Sequence, residues 1–435
     1  MSRFAPRLAA ALAAGLFALA GSAAAQDLLV RNATVHTATG RGTLQGADVL
    51  VRDGRIAAIG TGLDAPGVQV VEAGGRPLTP ALFGGITGIG IEEVSAEEPT
   101  TDAGLGLGAV SSEMLVRPEF DVTLAYNPES VLVPVARIEG IGWTLLGADA
   151  TFGGSIIGGQ GGVVRLDGSP DPIGRRVLFV ELGGGAAELT GNSRAAQWML
   201  LDQLVDEARG KIPPDSRHSL LTPAGRETLR GYLDGGGRVV VGVHRAADIR
   251  QLLRWADRHR VHVAIVGGAE AWKLAPELAT AGVPVFVDTL QNLPGSFDTI
   301  GATLENAARL HAAGVQVGFA QAGDNSHNAR KVRQLAGNAV ANGLPWDAGL
   351  AGLTRVPAQV FGVADGIGTI AVGQRADLAL WSGDPLEVST VAMQVWFDGR
   401  PIPMESRQTE LRDRYLRQQA TPDQGGLPRA YPEAR

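Results

Sequence analysis

Three strand-like runs in this 435-residue chain end in, or lead into, residues able to do chemistry. Val239-Val-Val-Gly-Val-His244 closes on an imidazole just before a helical pattern that starts at Ala246. Val177-Leu-Phe-Val-Glu181 closes on a carboxylate. Phe319-Ala-Gln-Ala-Gly-Asp324-Asn-Ser-His327-Asn328 leaves a third run and precedes another helical stretch. Imidazoles and carboxylates at strand ends are the groups that hold a divalent ion or move protons to and from water. Each also has a plainer reading. His244 caps a strand and a helix, Glu181 makes a loop hydrogen bond or ion pair, and Asp324 or Asn325 forms a turn or helix cap. Glu92, Glu93, Glu97 and Glu98 read as a solvated loop, since they lack the spacing of an oxygen-ligand loop for Mg²⁺ or Ca²⁺. His259 and His262 flank a helix-to-strand turn, and His36, His218 and His311 are structural. The glycine-rich stretch 153–162 lacks the Lys-Ser/Thr and helix of a phosphate loop and reads as hairpin turns.

Composition narrows the field. Without Cys, thiolate metal sites, iron–sulfur clusters, disulfides and thiol nucleophiles are excluded. A net charge of −7 leaves no basic surplus for nucleic acid. Arg3 and Arg7, a short apolar run and Ala23-Ala24-Ala25 read as a signal peptide over residues 1–25, cleaved near Ala25. A periplasmic or secreted mature protein is therefore expected. No later run is long enough to span a bilayer, so no membrane association is expected after signal removal.

The elements that must position these residues are legible in the spacing. Residues 28–71 alternate as strands, with a hairpin at Asp53-Gly54, and the grammar returns at 368–381 and 391–400. Residues 26–79 with 363–404 are expected to compose one small β-sandwich. Between them, at 80–362, strand–helix units repeat, with strands expected at 82–91, 123–126, 143–147, 177–181, 238–244, 261–266, 283–288 and 315–320. Eight such strands predict an α/β fold, a (β/α)₈ TIM barrel. Residues 405–435 are expected to form a C-terminal helix and a flexible tail.

Several blocks resemble a known family. Val51-Arg-Asp-Gly-Arg-Ile-Ala-Ala-Ile-Gly60, Leu78-Thr-Pro80, Gly343-Leu-Pro-Trp, Gly368-Thr-Ile-Ala-Val-Gly-Gln-Arg-Ala-Asp377-Leu and Gly383-Asp-Pro-Leu386 are similar to the amidohydrolase superfamily, nearest to its imidazolonepropionase-like branch. The resemblance implies a hydrolase of carbon–nitrogen bonds other than peptide bonds, acting on a small amide or cyclic amide, with zinc as the family's usual ion. It implies catalytic roles for Asp324 and His244, substrate contacts from His327, Asn328 and Glu181, and a weak metal set of His244, Glu181 and Asp324. The departures are as informative. Ile86 and Gly88 stand where the first strand should carry a His pair, and Gly267 or Gly268 stands where the sixth should carry His. The three Lys, at 211, 273 and 331, are not at the end of the fourth strand. Expected cofactors are thus none or a single weakly held divalent ion. The glycines of the first strand (Gly84, Gly85, Gly88, Gly90) are expected to leave a roomy pocket at the former metal site. The alternative function is a degenerate, metal-free homologue that binds a small molecule or serves as a partner subunit. Oligomers with itself or with an amidohydrolase paralogue are expected on either reading.

Overall fold

The computed structural model describes residues 27–106, 116–291, 293–323 and 325–420. The signal segment and the tail beyond Ala420 lie outside them.

Sequence from both ends of the chain makes one hydrogen-bonded sheet. Its strands are β1 (Leu28–His36), β2 (Thr43–Arg52), β3 (Arg55–Gly60), β4 (Gln69–Glu72) and β5 (Pro77–Pro80). The second set comprises β14 (Leu378–Trp381), β15 (Ala392–Phe397) and β16 (Arg400–Pro401). The order is β16-β15-β14-β5-β1-β2-β3, with β4 parallel to β1. Two hairpins use the same device. Asp53-Gly54 and Asp398-Gly399 both take positive φ, as the tight turn matching strand twist demands. Leu28, Val30, Val35, Val49, Ile56, Leu78, Leu378 and Trp396 fill the core of this sheet.

The second sheet runs in chain order from β6 to β13. It comprises β6 (Leu82–Thr87), β7 (Ile141–Leu146), β8 (Ile157–Arg165), β9 (Ile173–Glu181), β10 (Arg238–Val243), β11 (Val263–Gly267), β12 (Val285–Val287) and β13 (Val317–Phe319). A Cβ on Gly85 of β6 would stand 3.8 Å from Ala320, just past β13, so the first and last strands meet in a nearly closed barrel. Short apolar strands buried on both faces are what a wall covered by helices requires. Helices such as Ala246–His259 cover it, burying Ile249, Leu252 and Trp255.

The barrel departs from the sequence reading in one member. Residues 123–126 are not a strand. Val122–Ala125 is a 3-10 turn capped by Asp121, whose side chain accepts from the Thr123 amide. The missing strand is β8, the glycine-rich segment expected to be hairpin turns. It runs antiparallel to both neighbours, while the other seven strands run together. Close approach explains the glycines. A Cβ on Gly158 would lie 2.6 Å from the Ala148 carbonyl oxygen, and one on Gly161 would collide with that of Leu146.

The barrel is locked to the terminal sheet by a buried charge cluster. Arg165, the last residue of β8, pairs with Asp377 (Nη2–Oδ1 2.9 Å), Asp398 (Nη2–Oδ2 3.0 Å) and Asp167 (Nη1–Oδ2 2.5 Å). Its Nε also donates to Asp377 Oδ2 at 3.0 Å. Burial drives the Asp377 carboxyl up, and the Arg165 guanidinium pulls against it. Asp377, in the most distinctive of the resembling blocks, therefore joins the two sheets and takes no part in chemistry.

Candidate functional site

The C-terminal ends of the parallel strands surround a cavity of about 300 Å³, where barrels of this kind place their chemistry. β9 ends in Glu181 there, His244 follows β10, Gly267 ends β11, Asp288 follows β12, and Ala320 and Gln321 follow β13. Asp149, past β7, stands at the rim. Ile86, Phe179 and Val266 give the cavity an apolar wall.

Glycines set the positions of the two central side chains. The Glu181 carboxylate lies across Gly242, where a Cβ would stand 2.6 Å from its Cδ. The His244 ring lies across Gly267, where a Cβ would stand 2.9 Å from both ring nitrogens. Gly267 also has φ +88°, a backbone conformation that disfavours any side chain. The sixth-strand position thus holds glycine because the fifth-strand imidazole occupies its side-chain space. Gly267→Ala is expected to displace His244 and to destabilise the fold by about 1–3 kcal/mol through strain at this φ. A urea titration together with the His244 imidazole signals in NMR would check both effects.

Burial pushes His244 below the ordinary imidazole range, against the pull of Asp298 and Asp288, so the ring is neutral at pH 7. Its Nδ1 is buried without a hydrogen-bond partner. Burial pushes Glu181 up to about 7, and the charge of Asp149 adds to the rise. Asp149 has an exposed face, yet the protein around its other sides and the Glu92 charge push it up to about 6. Asp288 accepts from the Leu290 amide (Oδ1, 2.9 Å) and the Ala322 amide (Oδ2, 2.9 Å).

The cavity reaches the first strand at Ile86, while the space beside the glycines of that strand is filled. A Cβ on Gly84 would stand 2.8 Å from Ile141 Cγ2, one on Gly90 2.6 Å from Tyr126 Cδ2, and one on Gly88 3.0 Å from both Glu92 Oε2 and Ser326 Oγ. Ser326 accepts from the Gly88 amide at 2.9 Å and donates to Glu92 at 2.6 Å. Glu92 is therefore buried and bonded, whereas the sequence reads it as solvated loop. His327 turns toward this group, with Nε2 3.8 Å from Glu92 Oε1, and neither it nor Asn328 lines the cavity. Asn328 instead leads into the turn Ala329–Lys331. Asp324 lies outside the described residues. Asp149, Asp288 and Gln321 were missed by sequence reasoning. Asp288 closes an apolar run just as Glu181 does, which is the signal that finds it.

Among the described residues, no group of three or more His, Asp or Glu side chains is placed to hold a metal ion. The donor set shows why. His244 covers Gly267, Ile86 offers no ligand atom, and Glu92 with Ser326 occupies the space beside Gly88. The described residues do not fit the family's histidine-held ion.

Comparison with known proteins agrees with this barrel. Residues 243–404, from the end of β10 through β16, match the model of the amidohydrolase family. That stretch, well under half of the chain, is similar to the amidohydrolase family. A solved amidohydrolase from Thermotoga maritima MSB8 superposes with a TM-score of 0.74 at 24% identity, over 86% of this chain and 99% of that one. Molinate hydrolase gives 0.52 at 14% identity, over 94% and 98%. An adenosine deaminase from Xanthomonas campestris, solved with bound zinc, gives 0.51 at 18%, over 91% and 98%. These likenesses concern the fold. In sequence, amidohydrolase tasK of Hapsidospora irregularis is 40% identical over 72 residues, which are 17% of this chain but only 7% of that protein. This chain thus matches a small fraction of that relative's length.

Proposed function

We propose that this protein is an amidohydrolase that cleaves a carbon–nitrogen bond, other than a peptide bond, in a small amide or cyclic amide held in the barrel-mouth cavity. We assign the step to Glu181. The observation that carries the reading is a carboxyl seated in the cavity wall across Gly242, where burial pushes it up to about 7 and one group can both accept and return a proton. In this scheme Glu181 takes a proton from water as its oxygen bonds to the substrate carbonyl carbon. The C–N bond then breaks, the leaving nitrogen takes the proton from Glu181, and the carboxylate is restored. His244, neutral and with an unpartnered Nδ1, faces the same cavity and donates to or accepts from the substrate according to tautomer. The test is release of amine and acid from a panel of small amides, lactams and cyclic imides, followed by chromatography. No turnover of any of them sinks the assignment.

A second reading is favoured by one observation, the His244 ring seated over Gly267. It blocks reconstruction of the family's ion site and supports a non-catalytic homologue that binds a small molecule or partners a catalytic paralogue. Binding without turnover would select it. On either reading, protein exposed to Zn²⁺, Mn²⁺ or Fe²⁺ and then desalted is expected to retain well under one equivalent of metal by elemental mass spectrometry. We also propose that the chain is exported. The periplasmic or secreted protein should begin at Gln26 by N-terminal sequencing, and an intact N-terminus would refute export by cleavage.

A further inference from the structure

The cavity has an imbalance that hydrolysis by itself does not require. Its described lining carries three carboxylates, Asp149, Glu181 and Asp288, and neither Lys nor Arg. Arg194, beside Gly184, is paired with Asp248 (3.2 Å) and with Asp298. His244 is neutral and adds no positive charge. A cation entering the mouth would therefore meet carboxylates with no Lys or Arg beside them in the described lining. Interactions in such a low-dielectric recess are stronger than in water.

Hydrogen bonding points the same way. Gln321 Oε1 is buried and has no partner. The mostly buried Glu181 carboxylate takes its raised pKa from burial and the Asp149 charge, with no protein hydrogen bond contributing. Both side chains line the cavity. A buried acceptor left without a donor costs roughly 1–3 kcal/mol, more if charged. A ligand that brings N–H donors removes that cost. A carboxylate ligand brings further acceptors and negative charge to a place that already has both.

We propose that the barrel-mouth cavity selects small ligands carrying a protonated nitrogen, an ammonium or amidinium group, and rejects anions. The inference deepens the reading of the same site given above and names the charge class of its substrate. A cavity of about 300 Å³ admits a compact ligand, one ring with a short charged arm, against Ile86 and Phe179.

Three molecules of nearly one shape and different charge test it: benzamidine as cation, benzamide as neutral isostere and benzoate as anion. Isothermal titration calorimetry is run on the full mature chain. Benzamidine is expected to bind at least tenfold more tightly than benzamide, with benzoate weakest. Asp149→Asn and Glu181→Gln, each checked for native circular dichroism, are expected to shrink the preference to below threefold in combination. Benzoate binding as tightly as benzamidine, a preference unmoved by the two substitutions, or no binding of any of the three at millimolar concentration would each overturn the proposal. The outcome is separable from hydrolysis. Turnover of amides without cation preference refutes this inference alone, and cation preference without turnover refutes the assignment of Glu181 as proton carrier alone.

Discussion

Glu181→Gln is expected to lower kcat/KM for any amide substrate by about 10²–10⁴-fold, the range lost when a positioned acid–base group is removed. The amide keeps the shape and cannot move the proton. In the native protein the proposed attacking step needs the carboxylate form. Activity should therefore rise with pH through about 7, as Glu181 ionises, and then level off. Burial holds His244 below the ordinary imidazole range, so it is neutral on the plateau. A measured kcat/KM profile that is flat between pH 5 and 8 would reject the role. Stability gives a readout that a merely structural carboxyl buried elsewhere would not share with the rate. Since the folded-state pKa is raised from 4.5, the contribution of Glu181 to stability is fully present below that value. It is lost as pH rises through about 7. Glu181→Gln cannot ionise, so its stability should fall less than that of the native protein over this window, in paired urea titrations at pH 5 and pH 8.

Arg165→Leu is expected to cost about 3–5 kcal/mol, the loss seen when one partner of a buried ion pair is removed and the other is left without its counter-charge. Three carboxylates depend on this guanidinium, and Asp377 is buried with it. Burial alone pulls the arginine toward neutrality, but Asp377, Asp167 and Asp398 more than reverse that, keeping the charge on. The loss should show in the urea midpoint. It should also be relieved in part at low pH, where Asp377, already driven up by burial, takes a proton and no longer needs the partner. A change below 1 kcal/mol would mean that packing, and not this cluster, joins the two sheets.

What the sequence disclosed follows from how each feature is written in it. The Asp-Gly turns, the apolar runs of the second half and the strand-ending His244 and Glu181 depend on local pattern, and local pattern is legible. The barrel's third strand was misplaced because its identity lies in what surrounds it. β8 is glycine-rich since neighbouring carbonyls leave no room for side chains, and a segment with few side chains carries no alternation to read. Residues 123–126 have the apolar character of a strand but sit where Asp121 starts a turn. The site shows the same division. Gly267 and Gly88 read as empty places left by lost ligands, and in space they are occupied by His244, Glu92 and Ser326. A glycine states only that its own side chain is missing. Asp149 and Asp288, single carboxylates without a motif, become candidates only when the barrel closes and brings strand ends from distant parts of the chain together.

The reversed strand has a consequence for how this mouth can vary. A link between parallel strands must carry the chain back along the length of the barrel, so its length is tied to a covering helix. Residues 147–156 join the antiparallel pair β7 and β8 and need only bridge neighbouring strands, about 5 Å apart. Ala148 and Ser155 anchor the two ends of that link, so residues are gained or lost most readily around the exposed Phe152, at an entropic cost that grows only slowly with length. The link carries Asp149, while Glu181 and His244 stand at the ends of β9 and β10 in the parallel part of the wall. The barrel thus keeps an adjustable rim beside a fixed floor, and ligand preference can drift at the first without disturbing the second.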